Sequence, residues 1–371
     1  MKRCICAYSN LENKEAALND ICSQLKSNEA DPRVIIFTAD YNNFEYFACE
    51  IKNHFPNSET IGMSTFIVLS SKGYSYNSFA AMGIYENIKY SSGIILEANT
   101  HPLKYAQNIT EALNNFCSYE NTCCFTFTAA VDRCEEIVTE TYRSVLEPID
   151  VPICGGSAGS PLDIEDSFVS LNGKTYNKAS VFILIKNLSG RIGIYKENLF
   201  KPTKHILTVT DVDCDERIVY EFDGQPAADC LARTMNITID ELRDQLKYRP
   251  IGRLEDDDIY ITAGDQIGNE HEIHYYARIY NRTKVALLEA GNIEDESNRT
   301  AAMIHMDYPE SSFALVINCI GRSLYYEEHD KMDYFTQKLS EEYGDYIGFS
   351  GFGEQMHYSH FNMTMVIAIF E

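Results

Sequence analysis

Several side chains near the end of the chain are of types that bind or transform small molecules. Arg322 closes the stretch Cys319-Ile320-Gly321-Arg322, and Glu354 follows Gly351, Phe352 and Gly353. An arginine after a glycine, at the exit of a parallel-type strand, can clamp a carboxylate or phosphate at two points. A lone acid in a glycine-rich loop can receive an ammonium or hydroxyl group. The two together suit a zwitterion such as an amino acid, with Asn362 and Thr364 finishing a polar shell. The plainer alternative is a structural ion pair at two strand ends, or an acid that caps loop amides.

Two nucleophile readings stand beside this one. Gly155-Gly156-Ser157-Ala158-Gly159 has the spacing of a nucleophile elbow, which requires a strand before the serine and a helix after it. Ser160-Pro161-Leu162-Asp163 and the strand-like 168–171 follow instead, with no helical period and no marked triad partners. Cys319 beside a fixed cation can be an activated thiol, although a strand-end cysteine is more often inert core. His271 with His274, and His357 with His360, sit in strand-like or loop contexts, so no metal site is expected. No catalytic constellation is complete, no cofactor is implied, and no enzyme is expected. A hydrolase using Ser157 or Cys319 is the alternative, and a protein-interaction scaffold with no small ligand is another.

The elements that must position these residues recur three times. Apolar, β-prone runs open each unit: 34–38, 124–128 and 315–319. A helix follows each. Phe44, Phe47, Ile51 and Phe55 share one helical face, and so do Met332, Phe335, Leu339 and Tyr343. The middle helix is expected from about Glu135 to Leu146, with Val138, Tyr142 and Val145 inward. Each second strand ends in Gly-x-Ser: Gly62-Met63-Ser64, Gly155-Gly156-Ser157 and Gly348-Phe349-Ser350. A polar loop and a closing strand follow, at 79–84, 181–185 and 365–370. Glycine at such an end leaves room for a ligand or permits close packing of strands.

The fold class expected is therefore α/β (α+β), with mixed β-sheets flanked by helices and built from repeated β-α-β-loop-β units. Two domains are expected, 1–205 and 206–371. In the second, strands at 206–210 and 218–222 precede the turn Asp223-Gly224-Gln225-Pro226 and a helix through Ala228 and Leu231. The acidic run Glu255 to Asp258 reads as a solvated loop.

Composition limits the partners. There are 55 acidic against 31 basic residues, a formal charge of −24, which repels phosphate backbones and anionic membranes. No apolar run approaches the roughly 18 residues that span a bilayer. The stretch from Met1 to Tyr8 turns polar too soon for a signal peptide. Twelve cysteines without a Cys-x-x-Cys pair read as free thiols in a reducing cytoplasm.

Taken together, the order and spacing of Cys319-Ile320-Gly321-Arg322, Gly348 to Glu354 and His360-Phe361-Asn362-Met363-Thr364 resemble the C-terminal half of FIST domains (F-box and intracellular signal transduction). Gly155 to Gly159 is similar to the family's G-G-S-A-G loop, and Gly62-Met63-Ser64-Thr65 to its G-C-S-T loop. Met63 stands in place of the family's cysteine, and Phe66-Ile67-Val68 replaces the usual A-G-E. The resemblance runs from about residue 30 to the end. It implies a sensory, ligand-binding protein that takes a small molecule, an amino acid or related carboxylate. Family members adjoin chemoreceptor, histidine kinase or cyclic-dinucleotide signalling domains, so a signalling protein of that kind acting in trans is the expected partner. The ligand-binding set carried by the residues and the resemblance is Arg322, Glu354, Asn362, Thr364, Cys319, Gly353, Gly155, Gly156, Ser157 and Ser64.

Overall fold

A computed structural model describes residues 2–97, 100, 102–129, 133–164, 166–255, 258–309 and 311–371. The chain forms two compact units. One comprises Met1–Lys196, Arg299–Ser359 and Met365–Glu371, the other Glu197–Asn298 and His360–Thr364.

In the first unit, β1 (Cys4–Ser9) and α1 (Lys14–Leu25) lead in. The Asn13 side chain accepts the Ala16 amide at 2.9 Å and starts α1, which buries Leu18, Ile21, Cys22 and Leu25. The first repeat is β2 (Val34–Asp40), α2 (Phe44–His54), β3 (Glu59–Thr65), β4 (Ile67–Ser70), β5 (Gly73–Ser75) and β6 (Phe79–Ile84). Then β7 (Ile88–Leu96) and α3 (Ala106–Leu113) lead to the second repeat: β8 (Thr122–Thr128), α4 (Glu135–Leu146), β9 (Ile153–Ser157), β10 (Val169–Leu171), β11 (Lys174–Tyr176) and β12 (Ala179–Asn187). The apolar face of α2 buries Phe44, Phe47, Ala48 and Ile51, and α4 buries Val138 and Tyr142, as the spacing requires. After β12 comes β13 (Ile192–Asn198).

The second unit is an antiparallel sheet with helices packed on it. It contains β14 (Phe200–Asp213), β15 (Ile218–Phe222), β16 (Gln225–Pro226), α5 (Ala227–Met235), α6 (Ile239–Gln245), β17 (Ile251–Glu255), β18 (Asp258–Thr262), β19 (Gly264–Ile267), β20 (Ile273–Tyr275) and β21 (Lys284–Ala290). The order is β18-β17-β21-β14-β15-β20-β19, with β16 beside β15. Asp223 and Gly224 both have positive φ, 51° and 72°, and make the tight two-residue turn between β15 and β16. Val209, Phe222, Leu231, Leu242 and Ile251 share its core. The acidic run falls at the β17–β18 hairpin, and its residues 256 and 257 lie outside the described residues. The helix α7 (Ile293–Asp307) follows.

The third repeat belongs to the first unit except for His360–Thr364: β22 (Phe313–Cys319), α8 (Ile320–Glu328), α9 (Met332–Tyr343), β23 (Tyr346–Gly351) and β24 (Gly353–Met356), then β25 (Ser359–Phe361) and β26 (Thr364–Phe370). Met332, Phe335, Leu339 and Tyr343 are all buried on α9. Among the described residues the extra helix α8 has no counterpart in the other repeats, and it was not legible as a helix in the sequence.

In every repeat the opening strand pairs parallel with the second strand and antiparallel with the closing one: β2 with β3 and β6, β8 with β9 and β12, β22 with β23 and β26. What the sequence presents as a polar loop is extended strand, and it leaves its own repeat. The strand β10 pairs with β3, β24 pairs with β9, and β4 pairs with β23, all antiparallel. Each second strand would otherwise present a bare row of amides and carbonyls at a sheet edge. The three repeats close on one another in a cycle. The first unit is therefore discontinuous in the chain, because β4 finds its partner in β23.

Candidate functional site

The three Gly-x-Ser strand ends meet. The amide of Gly159 donates to the carbonyl of Ser64 at 2.8 Å, that of Phe352 to Ser157 at 3.1 Å, and that of Phe66 to Ser350 at 3.2 Å. Each donor stands two residues past the serine of its own repeat, so the bonds form a closed ring with threefold pseudosymmetry. All three serines are fully buried. The glycines here serve close packing, one of the two roles open to a glycine at such a strand end. A Cβ at Gly351 would lie 2.1 Å from the Ser157 carbonyl oxygen, and one at Gly156 would lie 2.7 Å from that of Gly353. The glycine-rich stretch that carries Glu354, expected as a loop after the second strand, is itself strand: β24 sets Gly353 opposite Ser157 and Glu354 opposite Gly156.

The serine side chains have different surroundings. Ser64 Oγ donates to the Gly159 carbonyl at 2.8 Å and accepts the Phe168 amide at 3.0 Å, so it is engaged on both sides by backbone. Ser157 Oγ faces a carboxylate oxygen of buried Glu135 at 3.5 Å. The strand β9 ends at Ser157 and the next regular element is the strand β10, so the helix of a nucleophile elbow does not follow. Ser350 Oγ lies 2.6 Å from Ser323 Oγ, which accepts Asn318 Nδ2 at 2.7 Å. Asn318 is fully buried, and its Oδ1 has no hydrogen-bond partner among the described residues. The sequence reading missed Asn318 and Ser323. The signal was a polar residue inside an otherwise apolar strand.

Arg322 lies in the first turn of α8, not on a strand-exit loop, and is fully buried. Its Nε and Nη2 donate to Tyr326 Oη at 3.0 and 2.6 Å. The guanidinium also lies 5.1 Å from the Tyr326 ring centroid and 5.4 Å from that of Phe335. Cys319 ends β22 and is buried, as is Glu354 on β24. Arg322 and Glu354 belong to the first unit, whereas Asn362 and Thr364 belong to the second. There the Asn362 amide donates to the Ile261 carbonyl at 3.2 Å, and Thr262 Oγ1 donates to Asn362 Oδ1 at 3.4 Å.

A cavity of about 90 Å³ lies at the end of the first repeat's strands, among Asp40, Tyr41, Thr65, Phe66, Tyr76 and Pro161. None of these was in the expected set. Phe66 opens the Phe66-Ile67-Val68 run that stands where the family pattern has A-G-E. Burial pushes the Asp40 carboxyl up from the ordinary range, against the pull of hydrogen bonds from Asn43.

No curated protein matches the chain. A solved cyanuric acid hydrolase, described as an innovation by structural concatenation, aligns over 99% of this chain and 97% of its own. Its TM-score is 0.36 and its identity 9%, a level that carries no argument. The FIST N domain matches residues 33–225 and the FIST C domain residues 227–357. The chain is a member of the FIST family, whose domains are generally small-molecule-binding sensors in signalling.

Proposed function

We propose that this protein is a cytoplasmic receptor for an amino acid or related carboxylate, and that it signals through a separate protein such as a chemoreceptor or histidine kinase. The observation that carries the reading is the buried polar cluster of the third repeat. An orphaned acceptor, Asn318 Oδ1, lies beside two linked hydroxyls, Ser323 and Ser350, and a fully buried arginine stands on the same helix as Ser323. Buried polar groups of this kind are costly and are kept where they do work. An ammonium group satisfies the orphaned acceptor, and a guanidinium suits a carboxylate. All twelve cysteines are free thiols, which supports a reducing compartment.

The test is thermal unfolding of the pure chain against amino acids, carboxylates and nucleotides. A ligand at about 100 times its Kd stabilises by about 2.7 kcal/mol. A shift confined to one metabolite class, and lost in Asn318→Leu and Arg322→Lys, supports the reading. A flat response across the panel counts against it. The second reading, a hydrolase, draws on the Ser157–Glu135 approach at 3.5 Å. Selective labelling of Ser157 by a serine-reactive probe would favour it.

A further inference from the structure

At the end of the first repeat's opening strand, charge breaks the threefold pattern. The ladders set Asp40 opposite Thr65 and Cys319 opposite Gly351, so Asp40 and Cys319 hold equivalent places. The counterpart in the second repeat is Ala129, one step past the Thr128–Ser157 pair. Only the first repeat has a carboxylate there. Asp40 is 5% exposed and lines the 90 Å³ cavity. Its carboxylate accepts the Asn43 side-chain amide at 3.1 and 3.0 Å and is also stabilised by the backbone amides of Asn42 and Asn43, but no lysine or arginine among the described residues pairs with it. A buried carboxylate without a counter-charge is unfavourable unless a cation joins it.

Three aromatic rings line the same cavity: Tyr41, Phe66 and Tyr76. Phe66 and Tyr76 meet edge to face at 5.1 Å and 79°, and Tyr41 stacks on Phe168 at 5.2 Å. The tyrosine hydroxyls donate outward to acids, Tyr41 to Asp166 and Tyr76 to Glu327, which fixes the rings. Aromatic faces attract organic cations. At roughly 10–15 Å³ per water, the cavity of about 90 Å³ holds about six to nine waters, room for a small alkylammonium ion. The net charge of −24 enriches cations near the surface.

We infer that this cavity binds a small free organic ammonium ion, with Asp40 as counter-charge and Tyr41, Phe66 and Tyr76 as its walls. The site is distinct from the third-repeat cluster and does not rest on the reading of that cluster. The test is calorimetric titration and melting of the whole chain with methylammonium, ethanolammonium and tetramethylammonium chlorides, against sodium chloride at equal ionic strength. At least one ammonium ion should bind saturably and raise the melting temperature. Asp40→Asn, which keeps size and one acceptor for the Asn43 amide, should weaken that binding at least tenfold. Tyr76→Leu, at the half-exposed rim, should weaken it several-fold without loss of fold. Three ions indistinguishable from sodium, or Asp40→Asn binding within twofold of the parent, overturn the inference. A response to a methyllysine peptide alone, with none to the free ions, overturns the free-ion assignment.

Discussion

Gly155 lies so close to Thr126 on the neighbouring parallel strand that a Cβ at residue 155 would sit 1.9 Å from the Thr126 carbonyl oxygen. The first glycine of each Gly-x-Ser occupies the same rung. Gly62 faces Phe37 with a Cβ distance of 2.4 Å, and Gly348 faces Val316 with 3.0 Å. Backbone oxygens held in a ladder cannot step aside. Gly155→Ala should therefore cost at least the 1–3 kcal/mol usual for overpacking. Gly348→Ala should be the mildest of the three. Denaturant unfolding measures the order, and a neutral Gly155→Ala would refute the packing role.

Asp40 makes a stability prediction independent of any ligand. Its folded carboxyl is raised by burial, so the folded state binds a proton more readily than the unfolded one. Above that raised value the charged group opposes folding, and as pH falls through it the penalty is relieved. Asp40→Asn should raise the melting temperature at neutral pH, and the gain should shrink on acidification towards the ordinary carboxylate range. A gain that is constant with pH would mean that charge is not the cause.

Arg322 is held by Tyr326 and by two aromatic rings, so its loss is felt as packing as well as charge. Arg322→Ala should cost about 2–5 kcal/mol, in the range of large buried truncations. Arg322→Lys should cost less, because the stem remains while the paired bonds to Tyr326 do not. Equilibrium unfolding in urea gives both numbers, and equal effects would place the contribution in the planar guanidinium alone.

The thiols test the nucleophile alternative. Cys49 and Cys117 are exposed, whereas Cys123, Cys124, Cys154 and Cys319 are buried. Burial pushes the Cys22 thiol up to about 11 and holds Cys123, Cys124 and Cys154 higher still. Brief alkylation of the folded chain at neutral pH should modify Cys49 and Cys117 first and leave Cys319 unmodified until unfolding. Rapid, selective modification of Cys319 in the native protein would revive the covalent reading.

The strands that open and close each repeat, and the helices α2, α4 and α9, were legible in the amino-acid order. Burying one helical face, or a whole strand, forces a period that local spacing records: Phe44-Phe47-Ile51, or the apolar run of β22. The threefold repeat of Gly-x-Ser was legible for the same reason, because a backbone rung that admits only glycine leaves a fixed mark. The strands β4 and β24 were not, since runs of four residues carry too little pattern; the run at 168–171 read as strand-like, but its partner, like those of β4 and β24, lies in another repeat. Arg322 read as a strand-exit residue because, among the described residues, α8 has no counterpart in the other repeats. The cavity at Asp40 was hidden for a related reason. Its walls come from residues 40–42, 65–66, 76–77 and 161, and no local spacing records their convergence. Periodicity reports what each element buries. Which edges exchange, and what charge is left facing the space between them, was decided only when the three repeats closed on one another.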